Sequence, residues 1–306
     1  MRKTIVAVPA VVLAVLIGFP GLVPNAGPRL GSLIETFLPW LGLGVPVLLL
    51  LALLRRSRIA AIAVVLPVVA WVAVCGGKLA QSTGTPANLT VVQHNLSDEN
   101  PDPAGTARTL LAPGADLIGV QELLPANVAA YDAVLATRYP HHAVHGTVGL
   151  WSRYPIVESR PVDIRPASVH DANWNRALRA VVTTLQGNVA VYVAHLPSLR
   201  LSPGGFGSDR RDDSAVRLGA ALAGEPLERI ILIGDLNGTV EDRGLRPVTD
   251  RVSTAEGGFA FSWPARTPVA RIDQIMARAI AVRAVWTLDR TGSDHLPIAA
   301  RLMFLS

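Results

Sequence analysis

Near its C-terminus the chain reads Gly292-Ser293-Asp294-His295-Leu296-Pro297, a carboxylate directly before an imidazole and ahead of an apolar run. Adjacent Asp–His pairs are common by chance, so the weight of this one depends on what precedes it. Asn95 follows VVQH, Glu122 ends IGVQE, and His195 ends VAVYVAH. Asp235 and Asn237 sit in ILIGDLNGT, and Asp273 sits in RIDQI. Taken singly, each has a bland reading. Glu122 reads as a solvated loop carboxylate, His195 as a structural imidazole, and Asp235 with Asn237 as turn residues that cap the backbone. Taken in order, they form a set that can hold a hard divalent cation on carboxylate oxygens. A histidine oriented by a carboxylate adds proton transfer near neutral pH. Residues i and i+2 of an extended chain point the same way, so Asp235 and Asn237 face one site. Asp273 lies inside a strand-like run, where a buried carboxylate needs a partner.

Such a set needs rigid elements that bring distant residues to one edge. Strand-like runs occur at Leu89–Gln93, Asp116–Gln121, Val148–Trp151, Ile156–Val162, Ala177–Leu185, Val189–Ala194 and Arg229–Ile233. Three more follow at Arg271–Ala277, Ala281–Leu288 and Ile298–Phe304. Helical spacing marks Pro103–Leu111, Pro125–Thr137 and Ser208–Ala223. Buried β-branched runs alternating with helices, mixed with hairpins, predict sheets packed face to face with helices outside.

The first quarter of the 306-residue chain is different. Three nearly uncharged apolar runs, about 4–23, 37–54 and 59–76, each approach the length of a bilayer span of about 20 residues. They predict a membrane anchor over 1–77 with three transmembrane helices, a small-residue linker over 78–86, and a catalytic domain over 87–306. Arg2-Lys3 before an apolar run also fits a signal peptide, but Pro24 stands where a small residue is wanted for cleavage, and two further runs follow. Arg2, Lys3, Arg55, Arg56 and Arg58 place the N-terminus and the second connecting loop in the cytoplasm by the positive-inside rule. Three spans then put the domain after Gly77 on the extracytoplasmic side of the cell membrane. The net charge of +5 has the same origin: six basic residues and one acidic residue precede Lys78, and 22 of each lie from Lys78 onward. A neutral outer domain gives no support to non-specific nucleic-acid binding, which needs a basic face. Cys75 is the only cysteine, so no intramolecular disulfide forms.

The pieces VQHNL, IGVQEL, LWSRYPI, VYVAHLPS, ILIGDLNGT, FSWPA, RIDQI and GSDHLPI, in that order, resemble the endonuclease/exonuclease/phosphatase superfamily, the DNase I-like proteins. The resemblance spans Leu89 to Arg301 and implies a four-layer α/β sandwich with two central sheets. It implies that Glu122 ligates Mg²⁺ (Mn²⁺ being the alternative), with Asp294 at or near the metal and Asn95 as a phosphate contact. Asp235 and Asn237 would orient the attacking water and a phosphate oxygen. His195 would bond phosphoryl oxygens or assist the leaving group. His295, oriented by Asp273, would act as base or as transition-state donor. One departure is Ser97, two positions after Asn95, where nucleases of the superfamily often carry an acid. Arg176 and Arg179 are further candidates for a substrate phosphate.

Three apolar runs before such a domain also resemble the VanJ-type teicoplanin-resistance membrane proteins. That resemblance implies a lipid-linked phosphate substrate, such as undecaprenyl pyrophosphate, with the membrane as partner. An extracytoplasmic nuclease acting on nucleic acid is the alternative, and a non-catalytic binding module on the same fold is the third reading. No protein partner is evident.

Overall fold

Residues 7–80 and 86–305 are described by the structure, a computed structural model. The apolar runs after residue 86 become the strands of two facing sheets. The six-stranded sheet has the order β12-β13-β1-β2-β4-β3. Its strands are β1 (Leu89–Asn95), β2 (Leu117–Gln121), β3 (His141–His145), β4 (Val148–Ser152), β12 (Ile280–Thr287) and β13 (Ile298–Phe304). The five-stranded sheet has the order β11-β10-β7-β6-β5. It contains β5 (Ile156–Pro161), β6 (Ala177–Thr184), β7 (Gly187–His195), β10 (Ile230–Asp235) and β11 (Asp273–Arg278). Helices α6 (Pro103–Leu111) and α7 (Val128–Leu135) supply Leu110, Tyr131 and Leu135 to the outer face of the first sheet. Helix α8 (Asp209–Ala223) and the short α9 (Arg246–Thr249) supply Leu218, Leu222 and Val248 to the outer face of the second. Two mixed sheets flanked by helices are the α/β sandwich expected from the alternation of runs.

Side chains alternate across a strand, and here the alternation sorts two cores. On β1, Val91 joins the core between the sheets while Val92 joins the core under the helices. The inward rows share a polarity gradient. Leu89 and Val91 on β1 give way to Gln93 and Asn95; Val191 and Val193 on β7 to His195; Ile231 and Ile233 on β10 to Asp235; and Ala277 and Ile275 on β11 to Asp273. The apolar inter-sheet core therefore stops along one line, and polar groups begin there. The sheets approach closely because Gly119 on β2 faces Ile233: a Cβ at position 119 would lie 2.5 Å from the Ile233 Cγ2.

Three strands escape the sequence reading. Strand β3 has the composition HHAVH and lies at the edge of its sheet, where only one neighbour and little burial select for apolar residues. The hairpin of β8 (Arg200–Ser202) and β9 (Gly205–Gly207) is three residues a side and leaves no periodicity to detect.

By its contacts the chain divides into two compact units. One comprises Met1–Ala80 with the segments Leu201–Gly207 and Glu241–Arg243; the other comprises the remainder, including both large sheets. The boundary at Ala80 falls within the expected linker, of which residues 81–85 lie outside the described residues. In the first unit the expectation of three spanning helices needs correction. Among the described residues one helical stretch, Arg58–Leu79, is long and apolar enough to cross a membrane. It is built from α4 (Arg58–Ala63), α5 (Val65–Cys75) and a final 3₁₀ turn. The second run forms the helical stretch Leu38–Leu54, which ends in α3 (Gly44–Leu54) and passes as a span only together with α2 (Leu30–Thr36), from which a 76° bend separates it. Pro39 follows that bend directly and removes a backbone donor. The first run gives α1 (Ala7–Gly18), twelve residues that stop before Phe19-Pro20; residues 4–6 of the expected span lie outside the described residues. Packing within this unit is inverted relative to a soluble bundle. Ala10, Ala52 and Ala60 are buried, while Leu54 and Ile62 are at least 70% exposed. Its buried carboxylate, Glu35, pairs with Arg243 at 2.8 Å.

Because the Gly119–Ile233 approach sets the sheet spacing, Gly119→Val is expected to cost about 2 kcal/mol through overpacking, read as a lowered midpoint in urea unfolding.

Candidate active site

Three neighbouring strands place three functional groups in one register line. Asp235 is the Cα partner of His195 across the parallel β7–β10 pair and of Asp273 across the antiparallel β10–β11 pair. The opposite sheet contributes Asn95 and Glu122. The Asn95 Nδ2 donates to Glu122 Oε1 at 3.1 Å and to Asp235 Oδ2 at 3.0 Å, tying the two sheets together at their polar ends. The His195 Nε2 lies 3.7 Å from each of those same two oxygens. The His295 Nδ1 meets Asp273 Oδ2 at 2.8 Å, and its Nε2 faces Asp235 Oδ2 at 3.9 Å. Asn237 donates its backbone N–H to Asp235 Oδ1 and its amide to the Leu196 carbonyl, both at 2.9 Å.

The backbone is bent to achieve this. Ser97, Glu122 and Asn237 have φ of 59°, 56° and 47°, left-handed values that cost an L-residue about 1 kcal/mol or more each. Local bonds hold them there. Ser97 N–H donates to Asn95 Oδ1, and Asp98 N–H donates to Glu122 Oε2. The fully buried Arg211 donates from Nη1 to the Asn237 carbonyl at 3.1 Å. Gly238 is a requirement of that contact, since a Cβ there would lie 2.1 Å from the Arg211 Nη1.

The loop carrying His295 hangs from β1. The His94 Nε2 lies 2.9 Å from Thr291 Oγ1, which accepts the Ser293 N–H at 3.2 Å. Ser293 Oγ donates to the Asn95 carbonyl and accepts the His295 N–H. Asp273 is braced from the other sheet as well, its Oδ1 accepting from Gln93 Nε2 at 2.8 Å. Gln93, His94, Ser293 and Arg211 are functional positions that the motif reading passed over. Polar residues inside the apolar run VVQHN were a usable signal for the first two. Arg211 had none, because it stands in a charged stretch that reads as a solvated helix face.

Two expected site residues fall differently. Arg179 stands apart from the others: it lies on the opposite face of β6, where its guanidinium makes two bonds to Glu225, at 2.7 and 2.8 Å, and one to Glu158. Tyr192, its cross-strand partner, donates to the same Glu225. Burial pushes the Glu225 carboxyl up, but the Arg179 and Tyr192 bonds prevail and hold it at about 2. Asp294 is exposed, its carbonyl accepting the Ala265 N–H. Among the described residues, the acidic and imidazole groups whose ligand atoms lie within 4.8 Å of one another are Asp235, Asp273 and His295, without Asp294.

Burial and charge separate the proton affinities. Burial lowers His295, but Asp273, Asp235 and the Asp273 hydrogen bond prevail and raise it to about 10. Burial raises Asp273, yet His295 holds it below the ordinary carboxylate range. Desolvation raises Asp235 to about 7. Burial, then the Arg176 charge, lowers His195 to about 3, so it is neutral. The site therefore offers an imidazolium donor beside a carboxylate poised near neutrality, with pKa values pushed apart as acid–base pairs require. Glu122 adds hard carboxylate oxygens that fit a cation such as Mg²⁺.

Two outcomes follow. His295 and Asp235 both hold protons more tightly folded than unfolded, so their stabilisation is complete at low pH and is lost as pH rises, through about 7 for Asp235 and about 10 for His295. In cation-free protein the melting temperature should fall between pH 6.5 and 10, and Asp273→Asn should flatten that fall. Arg179→Leu, which strands the buried Glu225, should cost about 3 kcal/mol in denaturant unfolding.

A family profile described as the Endonuclease/Exonuclease/phosphatase family matches residues 87–295. No curated protein matches the chain. Among solved structures, sphingomyelinase C from Streptomyces griseocarneus is 20% identical, covering 71% of this chain and 99% of its own, with a TM-score of 0.52. A mannosyl-6-phosphatase from Bacteroides thetaiotaomicron is 19% identical, covering 71% and 100%, with a TM-score of 0.55. A mutant beta toxin from Staphylococcus aureus with bound magnesium ions is 16% identical, covering 70% and 99%, with a TM-score of 0.55. At such identities the likeness shows a shared fold, and the profile match carries the assignment: the chain belongs to the endonuclease/exonuclease/phosphatase family.

Proposed function

We propose that this protein is a membrane-tethered, divalent-cation-dependent phosphoester or pyrophosphate hydrolase acting on a lipid-linked phosphate such as undecaprenyl pyrophosphate. The observation that carries the hydrolase reading is the convergence of Asp235, the Asp273–His295 pair and His195 in one line, faced by Glu122 and Asn95. Glu122 would hold the cation, which when bound neutralises the charge that makes a phosphate resist attack. Asp235, with its raised proton affinity, takes the proton of a water held beside Asn237. His295, held cationic by Asp273, donates to the charge that develops on phosphoryl oxygen or leaving group. Neutral His195 donates a hydrogen bond to the phosphoryl group. No covalent nucleophile is required.

The lipid and membrane parts rest on the first unit. Many of its large apolar side chains, Leu54 and Ile62 among them, face outward while Ala10, Ala52 and Ala60 are buried, the packing expected of helices solvated by lipid. One span by length and the bent pair beside it support insertion. The arginines of positions 55, 56 and 58 support a cytoplasmic connecting loop and an extracytoplasmic catalytic unit. Tethering raises effective concentration for lipid head groups and does little for diffusing substrates.

Full-length protein in detergent should release phosphate from a lipid pyrophosphate with Mg²⁺ and lose that activity in EDTA. Glu122→Gln and His295→Gln should each lower kcat by about 10²- to 10⁴-fold. Plasmid nicking without lipid turnover would overturn the substrate, and full activity in both variants would overturn the site. A cysteine replacing Leu185, 85% exposed, should be labelled in intact cells by an impermeant maleimide; labelling only after lysis would overturn the orientation.

A further inference from the structure

The first unit holds two segments that belong, by chain order, to the catalytic fold: Leu201–Gly207 and Glu241–Arg243. Each is tied there by specific bonds. Lys78 pairs with Glu241, and Thr36 Oγ1 stands 3.5 Å from Asp242 Oδ2. Arg243 donates to Glu35 from its backbone N–H and from its Nε, both at 2.9 Å. The same guanidinium donates to the carbonyls of Val23 and Pro20, at 3.0 and 2.9 Å, and so closes the loop between the first two apolar runs. Gly31 makes room for it, since a Cβ there would lie 2.7 Å from the Arg243 Cζ. In the other segment, Phe206 donates its N–H to the Pro28 carbonyl at 2.9 Å.

An anchor alone needs no such pair. Glu35 is 2% exposed, and a buried ion pair contributes little net stability compared with apolar residues of similar volume. What it supplies is a fixed register. Here the register is that of the chain on either side of the site. Gly207 stands four residues before Arg211, and Glu241 stands four residues after Asn237. Arg211 and Asn237 are the two ends of the bond that holds Asn237 at its left-handed φ of 47°. Little slack separates Asn237 from the clamp: the Gly238 carbonyl accepts from Gln274 Nε2 at 3.3 Å, and Thr239 is buried.

We propose that Glu35 and Arg243 are positioning residues for hydrolysis, clamping the chain that leaves Asn237 so that its amide keeps its place beside Asp235. The inference rests on the hydrolase reading, because the pair acts through Asn237. The first unit then has a task besides anchoring: it grips the chain on both sides of the Arg211–Asn237 bond. Loosened, the chain lets Asn237 relax from a conformation that persists only while its surroundings enforce it. The water held beside Asn237 then loses its orientation, and small misplacements of that kind are costly in rate.

Steady-state kinetics of full-length protein in detergent with Mg²⁺ test this on a lipid pyrophosphate and on water-soluble bis(p-nitrophenyl) phosphate. Glu35→Gln, Arg243→Lys and Gly31→Ala should each lower kcat about 10- to 100-fold on every substrate the parent turns over, with KM nearly unchanged. A loss confined to KM for the lipid would mean that the pair serves anchoring alone, and overturns the proposal. The decisive comparison adds Asn237→Ala. In that background Arg243→Lys should cost nothing further, because the residue it acts through is gone. An equal additional loss there would mark a general weakening of the fold and overturns the positioning role. Melting temperatures identify any variant that fails to fold, and Gly31→Ala, which leaves both charges in place, then decides. An active parent whose variants all keep full kcat overturns the clamp and leaves the hydrolase. A parent that hydrolyses neither substrate overturns the hydrolase reading and the clamp with it.

Discussion

A carboxylate with no access to solvent sits at the centre of this site, and the rest is arranged around its charge. Asp273 lies between the two sheets at the point where the apolar core ends. Isolated, a buried carboxylate would neutralise itself or destabilise the fold. It is kept ionised by His295 from the last loop and Gln93 from the opposite sheet, with Ser262 from the long connection before β11 adding a further bond. Each partner comes from a different part of the chain, so the charge can be satisfied only when the sandwich is closed. The catalytic pair is thus a consequence of tertiary packing as much as a contributor to it.

The same logic runs along the strands. The inward rows of β1, β7, β10 and β11 change from aliphatic to polar at one line, so the site is a continuation of the core and inherits its rigidity. Strain is confined to the turns just past that line, at Ser97, Glu122 and Asn237. Each is bound on both sides, by the Asn95 amide, the Glu122 carboxylate and the buried Arg211. A rigid floor with strained rims suits a reaction in which positioned groups must not relax as charge develops.

The first unit obeys a different rule. Ala10, Ala52 and Ala60 cluster inside it while leucines such as Leu53 and Leu54 face out, which reverses the preference water imposes. Hydropathy alone suggested three spans because it registers composition over a window and is blind to where a helix bends. The first run stops before Pro20, and the 76° bend before Pro39 separates the second from α2, leaving Arg58–Leu79 as the stretch of sufficient length among the described residues.

Strand-end residues were legible in the chain because the apolar-to-polar switch is local: Asn95, Glu122, His195, Asp235 and Asp273 each end or interrupt a hydrophobic run. Their order also carried the family resemblance, and the buried runs carried the layers of the sandwich. Beyond that, sequence could not say which residues meet. The pairing of His295 with Asp273 and the bracing by Gln93 and Arg211 depend on contacts across 22 to 180 positions, and no local pattern encodes them. Nor could composition separate Arg176 from Arg179, two arginines on one strand flank. The register with β7 decides that one stands opposite His195 in the backbone ladder and the other meets Glu225. The Asp–His pair at 294–295 divides in the same way: its presence is a matter of sequence. Tertiary structure turns His295 toward buried Asp273 and leaves Asp294 exposed, because only the histidine has a charge to meet inside.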